Sequence, residues 1–389
     1  MPSEVAPSPH LRIKILSLGV YPYAFGGVEV HTHYQAEELA RRGHEVEVII
    51  ESTAKLPRWR TRWLEGFLCT TVGSRLPVLG SIAVILGTLC RLLKTMNETD
   101  IVHVQYVGSY SLSAYLFWKL TSIPYVISCH GSDVLSQRRK FPRRLIIRTI
   151  LANAAMVTGV SNHIIGILKS DHGIPETKLA LVPICVNGKE IAEVLATLKT
   201  KMSNRVIFVG SLRTVKDPLS ALVAFRLAHS KASTLELVVV GNGTLLPLLE
   251  RYAAESGLTG SISFLGNIGH RQTLEEIAGA GVLLSTSISE GLSTVVLEAI
   301  SLGTPVVATS SGGVNDLVID GDNGFLIRSR SPEEIANALL KVVMNDGLFH
   351  RLSRRAMVSA RSFSIDVVMT AYENIYDLVT EKFDPPNRS

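Results

Sequence analysis

The sequence predicts two tandem α/β domains, each built on an open parallel sheet. Three observations carry this. Short apolar runs alternate with helical patterns along the chain, the alternation starts afresh halfway, and residues 187–203 between the two series lack a strand pattern. With 389 residues there is room for two domains of about 100–200 residues each. An apolar share of 46% against 19% charged excludes a disordered chain, leaving only the Pro- and Ser-rich ends (MPSEVAPSPH and DPPNRS) outside the fold.

In the first series Ile13–Leu18 is a strand, followed by a Gly26-Gly27 loop and a helix from about Val28 to Arg42. Gly43 closes that helix, and His44–Ile50 alternates as the next strand. Ile101–Val104, Tyr125–Cys129 and Met156–Val160 are further short strands. Leu76–Leu93 has the length of a membrane span, but Pro77, Gly80, Gly87 and Arg91 make it a helix packed into the core. The second series begins at Arg205–Gly210, continues with a helix from Pro218 to about Lys231, and runs through Leu235–Val240 into Gly241-Asn242-Gly243. Ile262–Leu265, Val282–Ser285 and Pro305–Ala308 complete it. The expected domains are 11–187 and 188–365, with 366–389 a return helix (about Asp366 to Lys382) and tail packing on the first domain. Ligands of such sheets bind beyond the carboxyl ends of the strands.

Charge is uneven. Residues 1–187 carry 20 Lys+Arg against 13 Asp+Glu, whereas residues 188–389 carry 19 against 21. The excess gathers at Arg138, Arg139, Lys140, Arg143, Arg144 and Arg148, and at Lys55, Arg58, Arg60 and Arg62. A solvated face explains such a run as well as an anionic partner does, either a phosphorylated acceptor or an acidic membrane surface. No nucleic-acid-binding motif accompanies it. Cys69, Cys90, Cys129 and Cys185 lack paired spacing and are expected to be buried small hydrophobes; with no secretory leader evident, a cytoplasmic protein is expected.

The densest chemistry lies between Ser285 and Leu326. A helix runs from about Ser293 to Leu302, with Gly303 as its C-cap residue and Pro305 beyond. Glu290 precedes the helix and Glu298 lies a little over one turn inside it, so both carboxylates can face one cleft. Free N–H groups at Thr294 and Val295 suit a diphosphate, and a carboxylate beside them suits vicinal sugar hydroxyls. Spacing alone fits a surface glutamate and a buried capping glutamate equally well.

The segment resembles the donor-binding signature of family 4 glycosyltransferases, also called group 1 glycosyl transferases. The matching residues are Glu290, Glu298, Gly303, Pro305, Val306, Val307, Ala308, Gly312, Gly313, Asp316, Asn323 and Gly324, in that order. The resemblance covers about residues 12 to 376. It implies a GT-B fold, with two Rossmann-like domains facing each other across a cleft and a C-terminal helix returning to the first. It further implies sugar transfer from a nucleotide-sugar with retained anomeric configuration and no bound metal. Gly26-Gly27-Val28-Glu29 resembles the glycine loop that approaches the donor phosphates, and His130-Gly131 resembles the element whose His contacts the donor sugar. Neither the first glycine loop nor Gly241-Asn242-Gly243 fits the dinucleotide fingerprint.

Carried over, the resemblance makes Glu298 the ribose ligand and Glu290 the residue that orients the sugar. Lys216, with Arg213 and the Gly291-Leu292-Ser293-Thr294-Val295 stretch, would face the diphosphate. Ser211 stands where relatives carry Arg, Ser293 replaces a Gly, Asp316 replaces the commoner Glu, and Ile184-Cys185 replaces Asn-Gly. A glycan or lipid-linked acceptor is expected, with peripheral membrane contact through the Arg138–Arg148 region. A nucleotide-sugar 2-epimerase and a non-catalytic partner subunit on the same fold are the alternatives.

Overall fold

The computed structural model describes residues 10–24, 26–51, 60–72, 80–135, 143–198 and 201–382. The chain forms two compact units, residues 1–185 together with 365–389, and Val186–Ser364.

The first unit is built on β1 (Arg12–Ser17), β2 (Glu45–Glu51), β3 (Thr61–Leu64), β4 (Phe67–Val72), β5 (Ile101–Val104), β6 (Tyr125–Cys129), β7 (Met156–Gly159) and β8 (Leu179–Leu181). They form one eight-stranded sheet in the order β3-β4-β2-β1-β5-β6-β7-β8. All neighbours are parallel except β3 with β4. Strands such as β5 and β6 are buried at every position, which is why they read as unbroken apolar runs rather than alternations. The β3–β4 hairpin escapes that reading because β3 is a short edge strand with Arg62 and Trp63 facing solvent.

The second unit holds β9 (Met202–Val209), β10 (Glu236–Val240), β11 (Ile262–Gly266), β12 (Ala280–Ser285), β13 (Val306–Thr309) and β14 (Gly324–Ile327). Its six strands run parallel in the order β11-β10-β9-β12-β13-β14. In each sheet the chain order reverses beside its first strand, between β1 and β5 and between β9 and β12. Such a switch point opens a crevice at the carboxyl ends of the strands.

Two expectations need correction. The helix Gly80–Lys94 buries Val84 and Leu92 but leaves Ile82 54% and Leu86 58% exposed, so it packs into the core on one face only. Among the described residues no helix is long and apolar enough to cross a membrane. Cys69, Cys129 and Cys185 are buried, whereas Cys90, on the outer face of the same helix, is exposed. Arg138–Lys140, Lys55 and Arg58 lie outside the described residues.

The helix Ile365–Glu381 belongs to the first unit. Val368, Met369, Tyr372, Ile375, Tyr376 and Val379 recur at helical spacing and enter its core beside Ile13, Ile15 and Leu39. Glu373 fixes the helix laterally: its carboxylate accepts from Arg42 Nη1 at 2.5 Å and lies 3.2 Å from His44 Nε2. Arg42 also donates to Glu38 at 2.8 Å, so one guanidinium bridges two helices. Removing a single member of such a cluster strands the others. Glu373→Ala is therefore expected to cost about 3 kcal/mol, measured as a lowered urea midpoint; an unchanged midpoint would show that the apolar face alone holds the helix.

Candidate active site

In the second unit the loops leaving β9 and β12 are tied to each other. The loop after β9 makes a short 3-10 turn at Thr214–Lys216. Ile288 N–H donates to Val215 O at 2.8 Å, and Thr286 Oγ1 donates to Asp217 O at 2.7 Å. Across this seam Lys216 Nζ pairs with Glu290 Oε1, which also accepts from Ser287 Oγ at 2.7 Å. Gly313 N–H donates to Glu290 O at 3.1 Å, so side chain and backbone of Glu290 are both held. Arg330, half-buried at a positive φ of 60°, donates to Ser287 O at 2.7 Å and adds a second cation to the same loop. Arg213 lies at the start of the 3-10 turn, exposed and without a side-chain partner among the described residues.

The helix after this loop, Thr294–Ser301, is anchored at both ends. Ser293 Oγ accepts from Val296 N–H, and Leu292 and Ser293 are buried while Thr294 and Val295 stay partly exposed. The first N–H groups of a helix have no acceptor inside it. At the other end Lys201 Nζ donates to Leu302 O and Gly303 O at 3.2 and 2.6 Å. Burial brings the Lys201 ammonium down to about 8. Gly303, at φ +65°, closes the helix; a Cβ there would meet Met357 and Ser353 at 3.0 Å. Glu298 is buried inside this helix, and its Oε1 lies 3.0 Å from His270 Nε2. Gly241 explains the glycine-rich turn after β10: a Cβ would sit 2.0 Å from Gly210 O, so the turns after β9 and β10 pack backbone on backbone.

In the first unit His130 follows β6 and is partly exposed. Asp133, fully buried, folds back to accept from the N–H groups of Gly131 at 2.7 Å and His130 at 3.3 Å. Burial raises the pKa of Asp133 and the four backbone donors oppose that. The His130 ring donates through Nε2 to Gln105 Oε1 at 3.0 Å. Gln105 donates in turn to Gln35 Oε1. Gln35 Nε2 donates to Tyr376 OH and His103 Nδ1, both at 3.2 Å, and His103 Nε2 donates to Ser128 Oγ at 2.8 Å. This chain fixes His130 as the Nε2–H tautomer. Burial, with His31 and His103 nearby, holds its pKa well below the ordinary value, so it is a neutral hydrogen-bonding group rather than a cation. Gly26 caps the helix Gly27–Arg41 in extended conformation; a Cβ there would fall 2.3 Å from Glu29 Oε2.

Thus the structure joins Lys216 to Glu290 and sets both beside the Ser293-capped helix; it gives Glu298 a separate partner and leaves Arg213 alone. Sequence reasoning missed Gln105, Asp133, His270 and Arg330, because each acts through a contact 25 or more residues away or through backbone geometry. It also missed His33, Glu37 and Glu65, whose ligand-type atoms lie within 4.8 Å of one another. There the exposed Glu65 approaches His33 Nε2 at 2.9 Å, and a hydrogen bond between ring and carboxylate accounts for the contact.

Comparison with known proteins assigns this arrangement to a class. The family model "Glycosyltransferase Family 4" matches residues 25–189 and "Glycosyl transferases group 1" matches residues 192–358. N-acetyl-alpha-D-glucosaminyl L-malate synthase of Bacillus anthracis is 23% identical over 381 residues, covering 94% of this chain and 97% of the relative. D-inositol 3-phosphate glycosyltransferase of Corynebacterium jeikeium is 25% identical over 410 residues, covering 94% and 96%. Sucrose-phosphate synthase from Thermosynechococcus elongatus has a TM-score of 0.78 at 19% identity, over 95% of this chain and 99% of that one. Anabaena HepE, solved with UDP, gives 0.74 at 17% identity over 94% and 99%. The architecture is GT-B, and the chain belongs to the group 1 glycosyltransferases. It is a sugar-transferring enzyme, as the resemblance implied.

The buried histidines give the first unit a defined acid response. Burial lowers His31 to about 4 and His103 to about 3, the latter helped by His31. Each folded value lies below the unfolded one of about 6.5, so the unfolded chain binds more protons below that pH and stability falls with pH. The thermal midpoint should drop between pH 6.5 and 4, and less steeply in His103→Gln. An unchanged slope in that variant would show that other groups govern the acid limb.

Proposed function

We propose that the enzyme transfers a sugar from a nucleotide-diphosphate-sugar, with retention of configuration and no bound metal, to a glycan or lipid-linked acceptor. The observation carrying this reading is the Lys216–Glu290 pair set beside the Ser293-capped helix, where the loops leaving β9 and β12 meet. Departure of a nucleoside diphosphate builds negative charge. Lys216 and the N–H groups of Thr294 and Val295 supply preorganised positive potential for it, with Gly291 and Leu292 shaping the approach. Glu298 accepts from the ribose hydroxyls, and Glu290 orients the sugar while keeping Lys216 extended. In the first unit, Gly26-Gly27 allows close backbone approach and His130 offers a neutral hydrogen bond to the sugar. Arg213 is the weakest of the proposed phosphate ligands, since nothing in its unit holds its side chain. HepE solved with UDP-glucose, and a starch synthase from Arabidopsis thaliana solved with ADP, support a nucleoside-diphosphate donor class.

A thermal-shift screen of UDP-, GDP- and ADP-sugars tests this. One donor should stabilise the wild type by about 2.7 kcal/mol at a hundred times its Kd, and Glu298→Ala should lose that shift. Lys216→Ala should lower kcat about hundredfold with a smaller change in KM. No shift with any donor would overturn the reading.

A second proposal concerns the acceptor side. The helix Arg143–Asn153 exposes Leu145 (57%) and Ile146 (50%) between Arg144 and Arg148. Apolar side chains flanked by guanidinium groups suit the anionic cytoplasmic leaflet, where each basic residue contributes about 1 kcal/mol. Sedimentation with phosphatidylserine vesicles at low salt should retain the wild type and release Leu145→Ser/Arg148→Glu. Equal retention of both, or of neither, refutes membrane contact through this helix.

A further inference from the structure

Both nitrogens of His270 face carboxylates. Nε2 lies 3.0 Å from Glu298 Oε1, and Nδ1 lies 3.3 Å from Glu190 Oε1. The three residues come from three helices of the second unit, Gly188–Thr197, His270–Gly279 and Thr294–Ser301. An ionised carboxylate only accepts, so both ring nitrogens must carry hydrogen and the ring is an imidazolium. The arrangement is half-buried, with His270 19% and Glu298 10% exposed at their side chains. Glu298 thus commits one oxygen to His270, while Oε2 has no partner among the described residues.

A carboxylate on an aliphatic stem rotates freely about its last bonds. To grip two vicinal hydroxyls it must present one oxygen in a fixed plane, and a charge-assisted bond to the other oxygen does that. We propose that His270, clamped between Glu190 and Glu298, is the positioning residue that orients Glu298 toward the ribose diol of the nucleotide donor. This rests on the reading of Glu298 given above. Glu190 holds the far side of the ring, so rotation of the imidazole breaks two bonds rather than one.

The clamp is sensitive to alkali. Burial pulls the His270 pKa down, but Glu190 and Glu298 outweigh it and hold it up at about 10. The other charged groups on the packed elements are engaged elsewhere or exposed: Arg271 with Glu193 and Glu275, Arg205 with Glu276, and Lys189 in solvent. With the folded value raised above the unfolded one, the clamp is intact at neutral pH and is lost as pH rises through about 10.

The test compares UDP with 2′-deoxy-UDP, or the ADP or GDP pair if one of those gives the larger thermal shift, by calorimetric titration of the full chain. The wild type should prefer the ribose form by about ten- to hundredfold, the range of one hydrogen bond to a charged group. Glu298→Ala should erase the preference. His270→Ala should reduce it to within about threefold of unity, and adding it to Glu298→Ala should change nothing further. Across pH 7.5 to 10.5 the wild-type preference should decline, while that of His270→Gln should be small and flat. Circular dichroism establishes that each variant is folded. A full preference in folded His270→Ala, with none in Glu298→Ala, would overturn the positioning role alone. A full preference in Glu298→Ala would overturn the reading of Glu298 and this inference with it.

Discussion

The ion pair between Lys216 and Glu290 is the contact on which the second unit's site depends. A parallel sheet delivers its loops to one edge but does not fix their mutual placement. Here the two loops at the switch point between β9 and β12 are joined by opposite charges, with the Ile288–Val215 and Thr286–Asp217 bonds as a backbone seam. Lys216 is one-quarter exposed and Glu290 about one-tenth, so the pair keeps access to solvent while sheltered enough for its attraction to matter. A lysine held extended by a carboxylate is preorganised for a further anion, and little ordering remains when one arrives. The helix Thr294–Ser301 inherits its position from the same seam, since it begins four residues beyond Glu290.

The two units place their polar groups differently. The second brings ionised groups to its strand ends and pairs them. The first also buries ion pairs, such as Lys14 with Glu47, but beside its strand ends it carries a neutral network running from His130 through Gln105 and Gln35 to His103 and Tyr376, the last lying on the helix that closes the chain. Fully bonded neutral groups cost little in a low-dielectric interior, whereas a charged ring there would demand a counter-ion. Each ring of this network therefore stays uncharged, and its tautomer is set by its neighbour rather than by solvent.

Much of the fold was legible because parallel strands announce themselves. Ile101–Val104 and Tyr125–Cys129 were read to the residue, since both are continuous apolar runs buried on both faces. The edge strand Thr61–Leu64 was not, because three of its four residues are exposed and no apolar pattern marks it. Glu290 and Glu298 were visible as a spacing, and Lys216 only through the family resemblance. Their partners were not. His270 reaches Glu298 from 28 residues upstream, and Glu190 lies a further 80 residues upstream of it. Local pattern carries no signal for pairings of that range.

The departures from the family motif have physical consequences of different sign. Ser293, where relatives carry glycine, is no loss to the helix: its Oγ accepts Val296 N–H, which glycine lacks the side chain to do. The exchange tightens the start of the helix and leaves the N–H groups of Thr294 and Val295 available. Ser211, where relatives carry arginine, is a real subtraction of charge. It is exposed, and Arg213 is exposed beside it with nothing to hold it. A cation free to swing costs rotamer entropy each time it binds. Arg330 stands differently, anchored through Ser287 O to the loop that carries Glu290. The ordered cations of this loop cluster are therefore Lys216 on the turn after β9 and Arg330 beyond β14.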